Sequence, residues 1–343
     1  MRPTLHPRLL NGRGGDPGVY LETLHLPDAV LLDCGDLSAL SPRHLLRVGA
    51  LGVSHAHMDH WAGFDRLLRL LIGREKRLPV VGPAGFAERL FHRLQAYTWN
   101  LADRIPTDLM FEVTEVTGTA AASWPRTRLR LHGGFRPEAL PPAPVEADGT
   151  WLRLGPLKLR AAVLDHGTPS LGFAVEEAAH LNVWRTKLEE RRLPVGPWLA
   201  ALKSAVAENR PDGHPVPVFA RSSEAHDAPA LPLGVLRDLV EVTPGQRLAY
   251  LTDFADTPEN RAVAVSLARG ADILFIEAPF AADDAAIAAD RRHLTTRAAG
   301  EIAREAGARR IEPFHFSPRY PGQEARLLAE VAEAAGRESL GGA

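Results

Sequence analysis

The chain has a single cysteine, Cys34, so no disulfide can form within it. A core drawn from 343 residues needs no such staple. The scarcity fits a cytosolic, reducing compartment, and Cys34 reads as a small packing residue rather than a ligand or redox group. Long apolar runs are missing as well. No stretch reaches the roughly eighteen residues of a membrane span, and the opening MRPTLHPRLLNGRGG lacks the apolar centre of a secretory signal. The formal net charge is only −2, so global basicity offers no argument for a nucleic-acid partner, although local patches stay open. What remains is an ordinary globular composition, in which the fourteen histidines matter through their positions.

Apolar periodicity alternates between two-residue and helical spacing. Strands are expected over residues 20–26, 29–33, 50–54, 79–81, 109–116, 126–132, 151–154, 157–164 and 171–176. Further strands are expected over 247–252, 273–278 and 310–316. Helices are expected over 62–73, 85–97, 257–270 with Thr257 as N-cap, 295–306 and 323–336. The Pro-rich run 137–144 reads as a loop. Residues 178–213 are charged, contain Leu-Pro-Val-Gly-Pro, and break the alternation, so they read as an inserted arm on a single domain spanning 1–343. Strands followed by mixed strands and helices, twice over, suggest an α/β fold of two sheets face to face with helices outside, an αββα four-layer sandwich.

The chemistry concentrates in His55-Ala56-His57-Met58-Asp59-His60, directly after an expected strand. Imidazole suits zinc, copper, iron and nickel, and the carboxylate adds a hard oxygen donor. An extended backbone puts His55 and His57 on one side, and Asp59 and His60 serve a second position as the chain turns into a helix. More candidates stand at strand ends, where rigid scaffolds present functional groups: Asp165-His166-Gly167, Asp253 and His315. Asp165 reads as a turn or supporting carboxylate, and Asp256 as part of a helix start, which leaves Asp253 as the better ligand.

This order of His-x-His-x-Asp-His, His, Asp and His resembles the metallo-β-lactamase superfamily. The resemblance implies that His55, His57 and His166 hold one metal, that Asp59, His60 and His315 hold the other, and that Asp253 bridges them. Two Zn2+ ions are expected, with Mn2+ or Fe possible on the same donors; zinc can lower the pKa of a bound water to about 7. Within the superfamily the chain resembles ribonuclease Z, the tRNA 3′-processing endonuclease. The resemblance lies in Asp165-His-Gly-Thr-Pro-Ser-Leu-Gly-Phe, in the His293-Leu-Thr-Thr-Arg-Ala-Ala-Gly segment, and in Phe314-His-Phe-Ser-Pro-Arg-Tyr320.

It runs from about residue 29 to 320. It implies a catalytic role for His293, as proton donor at the scissile phosphate, and beside the expected metals Asp59 can orient the nucleophile or accept its proton. It implies substrate contacts at Arg319 and at Gly196-Pro197 of the arm, precursor tRNA as the partner, and a homodimer. Trp198 could stack on RNA or pack the arm against itself. Residues 11–15 and Asp36 depart from the family pattern. They favour a second reading, hydrolysis of a small phosphoester or other ester (cyclic nucleotide, lactone or sulfate ester). A third reading, a non-catalytic RNA-binding scaffold, is opposed by the complete ligand set.

Overall fold

A computed structural model describes residues 4–24, 26–118, 122–220 and 229–340. His25, inside the strand expected at 20–26, lies outside them. By contacts the chain divides into a main unit, Met1–Glu176 with Gln246–Ala343, and a second unit, Glu177–Gly245.

The first sheet of the main unit takes its strands in sequence order: β1 (Leu5–Leu9), β2 (Val19–Thr23), β3 (Ala29–Leu32), β4 (Val48–Gly52), β5 (Lys76–Pro83), β6 (Leu109–Val116), β7 (Ser123–Arg130) and β8 (Pro137–Pro144). Strands β3 to β6 run parallel and the flanking pairs are antiparallel. The Pro-rich segment expected as a loop is therefore a strand. It is the terminal strand of the sheet, paired on one side only, the position where proline, which lacks an N–H, is tolerated in a sheet. Strand β1, at the opposite edge, has no apolar run to announce it.

The second sheet starts with β9 (Thr150–Leu154), β10 (Leu157–Asp165) and β11 (Pro169–Glu177). The chain then passes through β12 (His180–Val183), β13 (Pro215–Pro217), β14 (Ala230–Pro232) and β15 (Val240–Thr243), which belong to the second unit. It returns as β16 (Arg247–Leu251), β17 (Ile273–Glu277) and β18 (Arg310–Phe314), giving the order β18-β17-β16-β11-β10-β9 with β16 to β18 parallel.

Side-chain alternation explains the layering. Ala29 and Leu31 enter one core cluster while Val30 and Leu32 enter another. Leu274 and Ile276 likewise part from Phe275. The shared cluster, with Val30, Leu32, Phe173, Tyr250 and Phe314, lies between the sheets. The outer face of the first sheet is covered by helices Phe64–Leu71 and Phe86–Leu94. That of the second is covered by Pro258–Ala268, Thr296–Glu305 and Glu324–Ala334. Thr257 caps the first of these as expected, its hydroxyl accepting from Asn260 N at 3.2 Å. The result is the four-layer αββα sandwich, and its parallel strands direct their C-terminal ends to one side.

The second unit has its own core, built on Leu188, Trp198, Leu202, Leu233, Leu236 and Leu239. It is longer than the 178–213 segment because Leu233 to Val240 supply much of that core. Trp198 is fully buried and its Nε1 donates to the Pro194 carbonyl at 2.7 Å, so the indole packs the unit against itself.

Gly300 sets the packing of the last two helices of the main unit. A Cβ there would lie 2.5 Å from the Val331 carbonyl oxygen. Alanine favours helix by about 1 kcal/mol over glycine, whereas forced overpacking costs about 1–3 kcal/mol. Gly300→Ala is expected to lower stability by about 1 kcal/mol in chemical denaturation, against its helix propensity; a variant as stable as the parent would contradict this close approach.

Candidate metal centre

The candidate donors come after the C-terminal ends of four strands, Asp59 and His60 from the short helix beyond β4. After β4 the chain continues extended through Val53, Ser54 and His55 to His57, which opens the short helix Met58–Trp61. His166 follows β10, Asp253 follows β16 and His315 follows β18. Asp33, directly after β3, joins them from beneath. Asp33, Asp253 and His315 have φ of 55°, 47° and 62°. Left-handed backbone is uncommon outside glycine, and aspartate and histidine are enriched among the exceptions. Such residues persist only where the surroundings hold them, and here the kink ends each strand and turns a side chain into the cleft.

The sequence-predicted donors fall into two sets. Atoms of His55, His57, His166 and Asp253 lie within 4.8 Å of one another, as do atoms of Asp59, His60 and His315. Asp253 faces both. Its Oδ2 is 3.6 Å from His55 Nε2 and 3.5 Å from His166 Nε2, and its Oδ1 is 3.4 Å from His60 Nε2 and 3.1 Å from His315 Nδ1. Asp59 Oδ2 lies 3.4 Å from both His60 Nε2 and His315 Nε2. Among the described residues, the buried His55 Nε2, His60 Nε2 and His315 Nδ1 lack hydrogen-bond geometry to any partner, despite the short distance from His315 Nδ1 to Asp253. Buried polar atoms are rarely left so, and nitrogen lone pairs facing carboxylate oxygens fit cations between them.

A layer of acceptors behind the rings fixes which nitrogen is presented. Asp33, fully buried, accepts from Ser54 N (2.6 Å), Ser54 Oγ (2.8 Å), Tyr250 Oη (2.8 Å) and His60 Nδ1 (2.8 Å). An ionised carboxylate only accepts, so Nδ1 carries the proton and His60 Nε2 is left as a donor for metal. His166 Nδ1 likewise donates to the Arg292 carbonyl at 2.8 Å. Ser54 Oγ, its proton turned to Asp33, accepts from His55 Nδ1 at 3.1 Å.

His293 stands beside the cluster, its ring centroid 4.7 Å from that of His166 and 5.6 Å from that of His315. Its Nδ1 donates to Glu277 Oε2 at 2.8 Å, and the other Glu277 oxygen accepts from Phe254 N and Leu294 N. Burial alone would raise the Glu277 pKa; His293 beside it outweighs this and holds it at about 2. Burial would lower the His293 pKa; the Glu277 carboxylate outweighs this and lifts it above the ordinary histidine value.

Asp33 and Glu277 are the site residues that sequence reasoning did not single out. Each is a carboxylate closing an apolar strand, Val-Leu-Leu-Asp33 and Ile-Leu-Phe-Ile-Glu277, and that was the available signal.

Asp165 is exposed, accepts from Gly167 N at 2.8 Å and pairs with Arg292 at 3.2 Å, as a turn residue does. Asp256 pairs with Arg261 at the start of its helix, apart from both donor sets. Arg319 is exposed in the turn after β18; the cavity beside the metal donors is lined by Ser317 and Pro318 but not by Arg319. Gly196 and Pro197 belong to the second unit, where a Cβ on Gly196 would lie 2.2 Å from the Phe219 carbonyl oxygen and Pro197 leads into helix Trp198–Ala207. Cys34 is buried, and burial pushes its thiol pKa up, which keeps it inert.

The chain matches the "Beta-lactamase superfamily domain" over residues 212–316. It is 34% identical over 314 residues to ribonuclease Z of Deinococcus radiodurans, covering 89% of this chain and 87% of that one. It is 29% identical over 306 residues to ribonuclease Z of Limosilactobacillus fermentum, covering 87% and 81%. Among solved structures, the metallo-beta-lactamase fold protein YhfI of Bacillus subtilis superposes with a TM-score of 0.55 at 15% identity, over 97% of this chain and 93% of that one, a likeness of fold. The sandwich and its histidine- and aspartate-lined cleft thus define a hydrolase of metallo-β-lactamase fold, with a site suited to metal. Within that class the chain belongs to the ribonuclease Z family, a family of endoribonucleases. No helix of the described residues is long and apolar enough to cross a membrane.

The charges make metal uptake pH-dependent. Burial, and after it His60, takes the His55 pKa down to about 3, leaving a neutral imidazole. Burial would also lower His60 and His315, yet Asp253 beside them draws both well above the ordinary value. A divalent cation supplies the same positive charge, so its binding should expel those protons. Zinc affinity is expected to fall as pH drops, and calorimetry in buffers of different ionisation enthalpy should read net proton release; uptake without proton release would count against this ligand set. Asp33→Asn, which leaves all seven donors in place, is expected to weaken metal affinity by about 10–100-fold.

Proposed function

We propose that this chain is a dinuclear-metal endoribonuclease that removes 3′ trailers from precursor tRNA. The observation that carries the reading is the position of Asp253, with one oxygen toward the His55 and His166 nitrogens and the other toward those of His60 and His315. His55, His57 and His166 would hold one ion, Asp59, His60 and His315 the other, and Asp253 would bridge them. The imidazole-rich donor set favours zinc, with manganese or iron possible. Ions bound there would supply Lewis-acid activation of water and stabilisation of charge on the phosphoryl oxygens.

The protein's own groups divide the remaining work. Asp59, facing His60 and His315 at 3.4 Å, orients the attacking water and can take its proton. His293 lines the same cavity as Asp59 and His315, and with Nδ1 held by Glu277 it has Nε2 left to protonate the departing oxygen. The tRNA substrate is supported by the names of the relatives, several of them ribonuclease Z, and by membership of their family. Arg319 and the Gly196-Pro197 segment are retained as contacts to RNA on the family resemblance.

The test is incubation of the zinc-loaded protein with a 3′-extended precursor tRNA and mapping of the product ends. Cleavage beyond the acceptor stem is expected, and Asp59→Ala and His293→Ala should each lower kcat by about 10²–10⁴-fold. Hydrolysis of a small phosphodiester without RNA cleavage would move the function to the small-ester reading.

The pH profile gives a second check. A general acid must be protonated to act, so activity falls above the His293 pKa. Glu277 holds that pKa up, and Glu277→Gln should therefore move the alkaline limb to lower pH. An unmoved limb would remove His293 from the acid role.

A further inference from the structure

The cavity beside the metal donors, about 280 Å3, is lined by Asp16, Asp59, His293 and His315 together with Arg291. Arg291 directly follows helix Ala285–Asp290 and its backbone N donates to the Ile287 carbonyl at 3.0 Å, so its main chain is anchored. Its side chain is exposed and, among the described residues, makes no hydrogen bond or ion pair. The contrast with its neighbour is direct: Arg292 pairs with Asp165 and lends its carbonyl to His166. A cation facing a cavity that holds the reaction's acid, with no carboxylate partner, is placed to receive an anion from outside.

Resting on the endoribonuclease reading above, we propose that Arg291 is a substrate-binding residue that grips the phosphate adjacent to the scissile one. RNA carries a charge at every nucleotide, and phosphate contacts fix register along the strand. The scissile phosphate belongs between the metal donors and His293, deeper in the cleft. A guanidinium at the exposed side meets the next phosphate and can bind it through two N–H groups. Arg291 is the one arginine or lysine among the cavity's lining residues, whose carboxylates, Asp16 and Asp59, make no ion pair with it.

The experiment uses the full-length zinc-loaded protein and a 3′-extended tRNA carrying one uncharged methylphosphonate, placed one nucleotide to either side of the cleavage point. Arg291→Gln should lose about tenfold in kcat/KM on the unmodified RNA, mainly through KM. Wild type should lose a similar factor on one of the two methylphosphonate substrates, and on that substrate Arg291→Gln should lose nothing more. Arg291→Lys should recover part of the loss, and metal content and melting temperature should match wild type. The proposal is overturned if wild type is indifferent to both neutral linkages, if Arg291→Gln loses the same factor on charged and neutral substrates, or if the variant binds less metal. If wild type hydrolyses bis(p-nitrophenyl) phosphate but cuts no RNA, the endoribonuclease reading itself fails and this inference falls with it.

Discussion

A carboxylate taken out of water costs several kcal/mol unless charge partners and hydrogen bonds replace its hydration. Asp253 is such a group, buried at the end of a central strand with an oxygen turned to each of two histidine sets. Its position explains much of what surrounds it. The left-handed φ of 47° aims it into the cleft, and Thr252 Oγ1 donates to its Oδ1 at 2.7 Å. Four imidazoles converge on its two oxygens, and their own outer nitrogens need acceptors in turn. Asp33 serves His60, the Arg292 carbonyl serves His166, and Ser54 links His55 back to Asp33.

The chain that answers these needs runs through both sheets. Asp33 follows β3 of the first sheet, while Tyr250, which donates to it, sits in β16 of the second. The site therefore spans the interface of the sandwich, and the packing of Tyr250 between Phe173 and Phe314 is also the packing that holds the supporting carboxylate. On the other flank, Glu277 ends β17, the strand paired to both β16 and β18, so the carboxylate that accepts from His293 is registered to Asp253 and His315 by backbone hydrogen bonds. Placement on rigid strand ends is what holds the candidate donors in position around the cleft.

The candidate donors that the structure brings together were legible in the sequence because their chemistry is local: four of them lie within six residues, and the others close apolar runs. The layers were legible for a related reason, since strands with both faces buried read as continuous apolar segments. Features set by distant partners were harder to read. Nothing near Asp33 reveals that a ring twenty-seven residues away needs its oxygen, and Glu277 meets His293 only after the chain has passed through helix Ala285–Asp290. Pro137–Pro144 forms a strand because it lies at an edge, which composition does not encode. The arm's extent likewise depends on Leu233 to Val240 folding back onto Trp198 and Leu202.

The central claim is that Asp253 bridges two ions, each completed by its own histidine set. Anomalous diffraction from crystals of the zinc-loaded protein tests it most directly. The account predicts two peaks about 3.5–4 Å apart, one among His55, His57 and His166, the other among Asp59, His60 and His315, with an Asp253 oxygen on each. A single ion, or an ion seated instead among Asp253, Glu277, His293 and His315, would contradict it.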